Sequence, residues 1–107
     1  MKDNVLSELF KIILSRKNAD KETSYTAKLF HGGLNKILKK VGEETTELVM
    51  AATKQDKEEV IYETADVLYH ILVLLADQDI SLSDIYQQLE SRMGVSGITE
   101  KANRGKK

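Results

Sequence analysis

The chain of 107 residues has no cysteine, no proline and no tryptophan, and only six glycines. Without cysteine there can be no disulfide framework and no thiolate zinc site, which suits a reducing compartment. Without proline, and with so little glycine, few positions interrupt a long helix. No unbroken apolar run reaches the length of a membrane span. The opening "MKDNVLSELFKIILSRK" spaces its apolar residues by helical turns and breaks them with charges, unlike a signal peptide. A formal charge of −1 gives no global attraction for nucleic acid. What remains is 41% hydrophobic and 31% charged, the balance of a soluble globular chain. At this length one domain over residues 1–107 is expected. The last seven residues, "KANRGKK", carry four cations and no anion, so a basic, loosely held tail is expected from about residue 95.

The periodicity predicts an all-α fold. A first helix is expected over about 4–16, with Val5, Leu6, Leu9, Phe10 and Ile13 on one stripe. The polar "KNADKETS" reads as a loop, and "YTAKLFHGG" leads to a glycine pair. A second helix is expected over 34–54, its stripe formed by Ile37, Leu38, Val41, Leu48 and Ala52. Asp56 and Glu59 suggest a capping box for a third helix over about 57–77. Ser81 and Asp84 mark the start of a fourth, with Ile80 placed to staple onto Ile85 and Gly94 to end it.

Within the second helix, "KKVGEETTEL" puts three glutamates in line with apolar residues. Residues three or four apart share a helical face. Val41, Glu44 and Leu48 are therefore nearly in register, and Glu47 lies one turn from Glu44. On the third helix Glu63, Asp66, Val67, His70 and Leu74 follow the same spacing. A short connection favours antiparallel packing, which lets the two acidic pairs meet. Acid pairs on helices are ordinarily solvated faces, and either pair alone reads that way. Two pairs beside apolar stripes on successive helices raise a sharper expectation. Facing carboxylates repel and lose hydration, and a divalent cation resolves that conflict. An all-oxygen set suits Mg²⁺, with Mn²⁺ as a substitute, rather than zinc. On repulsion alone, neutralising Glu44 or Asp66 is expected to leave the metal-free chain at least as stable. His70 does not fit a di-iron site, since no Glu-x-x-His occurs; it reads as a wall residue. Gly32-Gly33 lacks the spacing of a phosphate loop.

"EETTE" (43–47) followed by "ETAD" (63–66) resembles the EExxE…ExxD signature of the MazG-like all-α nucleoside triphosphate pyrophosphohydrolases. "SYTAKLF" (24–30), "GGLNKILKKVGEETTELVMAA" (32–52), "EVIYETADVLYHILVLLAD" (59–77) and "GITEKANR" (97–104) bring it closer to the phosphoribosyl-ATP pyrophosphohydrolase branch of histidine biosynthesis. The resemblance implies a four-to-five-helix bundle with a carboxylate metal site between its two central helices. It implies a cytoplasmic, Mg²⁺-dependent hydrolase that cuts the α–β phosphoanhydride of 1-(5-phosphoribosyl)-ATP. Carried over, Glu44, Glu47, Glu63 and Asp66 are metal ligands, and Glu43 positions the attacking water or serves a second metal. Lys39 and Lys40, one turn ahead of the acids, are candidates for the triphosphate. Tyr25, in the segment resembling the family's substrate loop, is a candidate for the purine. Lys101 and Arg104, in the segment resembling its closing motif, are candidates for phosphate. Ordinary surface, packing and tail roles compete for each of these five. The alternative within the superfamily is a house-cleaning hydrolase of dUTP or damaged dNTPs; outside it, a non-enzymatic helical adaptor. The apolar circumference of "VLYHILVLLA" (67–76) leads us to expect a homodimer or an assembly of dimers.

Overall fold

The computed structural model describes residues 4–93. Gly94 and the tail, with Lys101 and Arg104, lie outside the described residues. Among the described residues there are five helices and no strand: α1 (Val5–Ser15), α2 (Tyr25–Gly32), α3 (Leu34–Thr53), α4 (Lys57–Asp77) and α5 (Leu82–Glu90). The all-α expectation holds. The element not foreseen as a helix is α2. Its sequence, "YTAKLFHG", is too short to show a period, but Ser24 caps it by accepting from the Ala27 amide at 3.2 Å. Thr26, Ala27 and Leu29 are its buried face.

α2 and α3 are separated by Gly33 alone, which has φ 86° and ψ 176° and caps both helices. That positive φ is what a glycine accepts and a side chain resists. α3 then turns back along α4 through a short connection. The Lys54–Glu59 ion pair of 3.0 Å stands near the turn, and Glu44 meets Asp66 farther along, so the two helices run antiparallel. This is the most extensive helix pairing in the fold.

The core joins Phe10 and Ile13 of α1, Leu29 of α2, Ile37 of α3, and Leu72, Val73 and Ala76 of α4. Burying each large side chain stabilises by roughly 1.5–3 kcal/mol. Two predicted stripes need correction. In α1 the first turn does not reach the core: Val5 and Leu6 are exposed, and the second half of the helix carries the burial. In α3 the buried line is Ile37, Glu44 and Ala51, seven residues apart, while Leu38 and Ala52 face outward. A glutamate thus occupies a position that helical geometry assigns to the core.

The starts of α4 and α5 carry caps at the residues the sequence suggests. Ser81 accepts from the Asp84 amide while Asp84 accepts from the Ser81 amide, a complete capping box. Asp56 accepts from the Glu59 amide at 3.2 Å and caps α4 without the reciprocal half. At the other end of α4, the Ile80 amide donates to Leu75 and the Asp79 amide to Ala76, a Schellman closure with Asp79 at φ 57°. Lys17 donates to the Ala76 carbonyl at 2.9 Å and pairs with Asp79 at 3.1 Å, tying the α1–α2 loop to that terminus.

Candidate metal centre

Glutamate is a good helix former, so the polar "EETTE" stays within α3. Thr45 donates to the Val41 carbonyl at 2.7 Å and Thr46 to Gly42 at 3.0 Å, satisfying both hydroxyls within the helix. The glutamates are then sorted by angle around α3. Glu44 is only 6% exposed, whereas Glu43 and Glu47 face outward. Opposite Glu44, α4 presents Glu63 and Asp66, both half-buried. One carboxylate oxygen from each of Glu44, Glu63 and Asp66 lies within 4.8 Å of the others.

Three acids this close need a cation. Lys40, one turn before Glu44, is the one supplied by the described residues: its Nζ is 3.1 Å from Glu44 and 3.7 Å from Glu43. The Glu44 carboxyl is held down to about 2, chiefly because it accepts a hydrogen bond from Asp66, with Glu47 and Lys40 adding to the effect against the cost of burial. Asp66 is correspondingly pushed above its ordinary range by burial and by its contact with Glu44. Glu47 is raised by its hydrogen bond to Glu44 and by that group's charge. Glu44 is thus the firmest anion of the cluster, and ionising Asp66 or Glu47 beside it is disfavoured.

Even so, one acceptor remains unused: Glu63 Oε1 is buried with no hydrogen-bond partner. A buried polar atom without a partner costs on the order of 1–3 kcal/mol. Three convergent carboxylates, one with an orphaned oxygen, form a hard all-oxygen donor set that could hold a divalent cation.

A wall of aromatic side chains closes one side. His70 is 2% exposed. Its Nδ1 faces two acceptors, the Asp66 carbonyl at 2.8 Å and the Asp66 carboxylate at 3.4 Å, so Nδ1 carries the proton. Nε2 then accepts from the Tyr25 hydroxyl at 3.0 Å. The Tyr69 ring stands edge-on to His70, with centroids 5.2 Å apart, and its hydroxyl bonds Thr26. The wall reading of His70 therefore acquires a specific form: it braces Asp66 and receives Tyr25. Burial, together with Asp66 and Glu44 nearby, raises the Tyr25 phenol against the opposing pull of Lys40.

The structure therefore brings Glu44, Glu63, Asp66, Lys40, His70 and Tyr25 together. Glu43 and Glu47 border the group on the exposed side, with Glu47 against Glu44 and outside the close trio. Lys39 is exposed on α3. Tyr25 opens a helix rather than sitting in a loop, half exposed with its hydroxyl engaged. Sequence reasoning missed the Tyr25–His70 link and Lys40 as the cluster's own counter-charge. Only the i, i+4 spacing of Lys40 and Glu44 hinted at the second.

Comparison with known proteins bears on the same residues. Residues 6–93 match the family model described as phosphoribosyl-ATP pyrophosphohydrolase. A protein of Geobacter sulfurreducens called phosphoribosyl-ATP pyrophosphatase is 52% identical over 103 residues, 96% of this chain and 95% of the relative. One of the same name from Trichlorobacter lovleyi is 55% identical over 101 residues, 94% of each chain. Another, from Rhodobacter capsulatus, is 50% identical over 100 residues, 94% of this chain and 97% of the relative. With a matched segment spanning all five helices and containing the whole carboxylate cluster, the chain belongs to the phosphoribosyl-ATP pyrophosphohydrolase family.

Proposed function

We propose that the chain hydrolyses the α–β phosphoanhydride of 1-(5-phosphoribosyl)-ATP, giving 1-(5-phosphoribosyl)-AMP and pyrophosphate, the second step of histidine biosynthesis. The observation that carries the reading is the inward trio of Glu44, Glu63 and Asp66, with Glu63 Oε1 left without a partner, in a chain of this family. A triphosphate and a carboxylate cluster are both anionic, so the substrate needs a bridging cation. Mg²⁺ fits the oxygen donors and would supply charge neutralisation and a lowered pKa for water. Glu44, Glu63 and Asp66 would hold it, with Glu47 completing the set from the exposed side.

The remaining groups divide the work. Glu43, outside the trio, would accept the proton of the attacking water or orient it. Lys40, now paired with Glu44, would turn its ammonium to the triphosphate if a divalent cation took over that charge, with Lys39 beside it on the helix. Tyr25 offers a half-exposed ring for the purine, fixed at its hydroxyl by His70. Lys101 and Arg104, outside the described residues, complete the phosphate contacts. A biosynthetic enzyme consuming a highly charged nucleotide belongs in the cytoplasm. A homodimer, or an assembly of dimers, is the working form.

Water attacks the α phosphorus in line, the bond to the bridging oxygen breaks and pyrophosphate leaves. In ¹⁸O-labelled water, phosphorus NMR should find the label in phosphoribosyl-AMP and not in pyrophosphate. Label in orthophosphate, or equal turnover of ATP and phosphoribosyl-ATP, would overturn the assignment.

A further inference from the structure

A second feature lies away from the carboxylates, where α2 hands over to α3. A recess of about 330 Å³ is lined by Lys21, Glu22, Lys28, His31, Gly32 and Lys36. Three lysines face one carboxylate there. Among the described residues the ion pairs engage Lys17, Lys40 and Lys54, leaving Lys21, Lys28 and Lys36 without an acidic partner. Like charges gathered in a concavity focus a positive potential that a bound anion relieves. The first turn of α3, to which Lys36 belongs, has no acidic residue and no capping side chain, so its positive dipole end adds to that potential.

The recess is built rather than incidental. A Cβ at Gly32 would overlap the Lys36 Cδ and come within 3.2 Å of the Lys36 Cβ. The missing side chain is the space in which the Lys36 stem lies. His31 Nε2 donates to the Ala19 carbonyl at 3.0 Å, holding the α1–α2 loop, and Lys21 with it, against α2.

Its placement relative to the metal centre supplies the ligand. On α3, Lys36, Lys40 and Glu44 follow at four-residue steps on one stripe, which puts Lys36 about 12 Å along the axis from Glu44. On α2, Tyr25 is joined through His70 to Asp66, and Lys28 lies one turn on toward Gly32. Both helices thus lead from the carboxylates, past Tyr25 and Lys40, to the recess. We infer that the recess formed by Lys21, Lys28, His31 and Lys36 seats the terminal phosphate of the substrate's phosphoribosyl arm, so that it determines specificity for phosphoribosyl-ATP over ATP. The inference rests on the function proposed above. A phosphomonoester dianion matches several ammonium donors better than a neutral sugar or a base does. ATP has no group to place there.

The test compares wild type, the double variant K28Q/K36Q, G32A, and K11Q as a control on α1, with phosphoribosyl-ATP and saturating Mg²⁺. A contact remote from the reacting bond binds ground and transition states alike, so the double variant should raise KM by about tenfold or more, with the loss in KM rather than kcat. G32A, which displaces the Lys36 side chain, should raise KM by a smaller factor. Ribose 5-phosphate should compete with substrate in the wild type and lose potency by a similar factor in the double variant, while pyrophosphate keeps its own. Circular dichroism and melting establish that each variant is folded. An unchanged KM in the double variant overturns the inference, as does an equal rise in K11Q or a loss of potency confined to pyrophosphate. Failure of wild type to turn over phosphoribosyl-ATP would instead sink the proposed function. In that case calorimetric binding of ribose 5-phosphate, present in wild type and lost in the double variant, still reads the recess alone.

Discussion

Glu44 and Asp66 face each other, yet their environments differ enough that neutralising them should have opposite effects. Like-charge repulsion alone predicts relief from either change, but Lys40 sits 3.1 Å from Glu44 and alters the sign for that residue. The Glu44 carboxyl falls from 4.5 to about 2, so its ionised form stabilises the fold above 4.5 and that stability is lost as pH falls toward 2. Asp66 is raised from 3.8, so its ionised form is disfavoured and metal-free stability declines as pH rises past that value. At pH 7 without metal, E44Q should therefore lower stability by about 1 kcal/mol, while D66N should leave it unchanged or raise it. The wild type should melt higher in millimolar Mg²⁺, and both variants should abolish that rise. A wild-type melt indifferent to Mg²⁺ would refute the metal reading, and equal destabilisation by E44Q and D66N would refute the role given to Lys40. Tyr25 offers a separate test. Y25F removes the hydroxyl bonded to His70 but keeps the ring, so it should cost about 1 kcal/mol of stability and leave most activity. Y25A should lose activity much further if the ring carries the purine, and comparable kcat/KM for the two variants would remove Tyr25 from the site.

At the level of helices, the ends of α3 and α4 show where local and global demands conflict. Gln55 closes α3 at φ 60° with its amide donating to Ala52, a left-handed position that glycine takes without strain. Q55G should therefore raise stability by about 1 kcal/mol, readable as a shift in the urea midpoint at constant m-value. A lower midpoint would mean the Gln55 side chain contributes more than the strain costs. Helix existence was legible in the sequence wherever a long apolar period coincided with a cap, as at Asp56 and Ser81. α2 was not, because eight residues hold barely two turns and its signal is the single cap at Ser24. The pairing of "EETTE" with "ETAD" was legible from spacing, since α3 and α4 are nearly equal in length and closely joined. That Glu44 lies on the inward stripe was legible too, from its register with Val41 and Leu48. That Glu47, one turn on, stays exposed and outside the close trio was not, because the packing of α3 on α4 sets that angle. The Tyr25–His70 contact joins residues 45 apart, and no periodicity carries that information.

The whole molecule raises the question of what its apolar surface is for. The stretch 67–76 suggested a partner because it is apolar on every side, yet the fold covers most of it: Val67, Leu72, Val73 and Ala76 are buried within one chain. Other apolar residues of the same hairpin are exposed, Leu68 of that stretch among them. Val49 and Met50 late in α3, and Ile61, Tyr62 and Leu68 in α4, are 43–70% exposed. Single exposed hydrophobics need no explanation, but five large ones on two adjoining helices do. Met50 also lines the same cavity as Glu47, Glu59 and Glu63, so a partner covering these residues would lie beside the carboxylates. A second copy of the chain covering this face would shield the open side of the carboxylate cluster and would tie assembly to catalysis. Light scattering at micromolar concentration should then give a dimer or a multiple of it, and I61E should shift it toward monomer while the far-ultraviolet circular dichroism stays helical. Activity should fall with the dimer fraction and recover on raising the protein concentration. An I61E monomer with full kcat/KM would separate assembly from catalysis, and a monomeric wild type would remove the partner altogether.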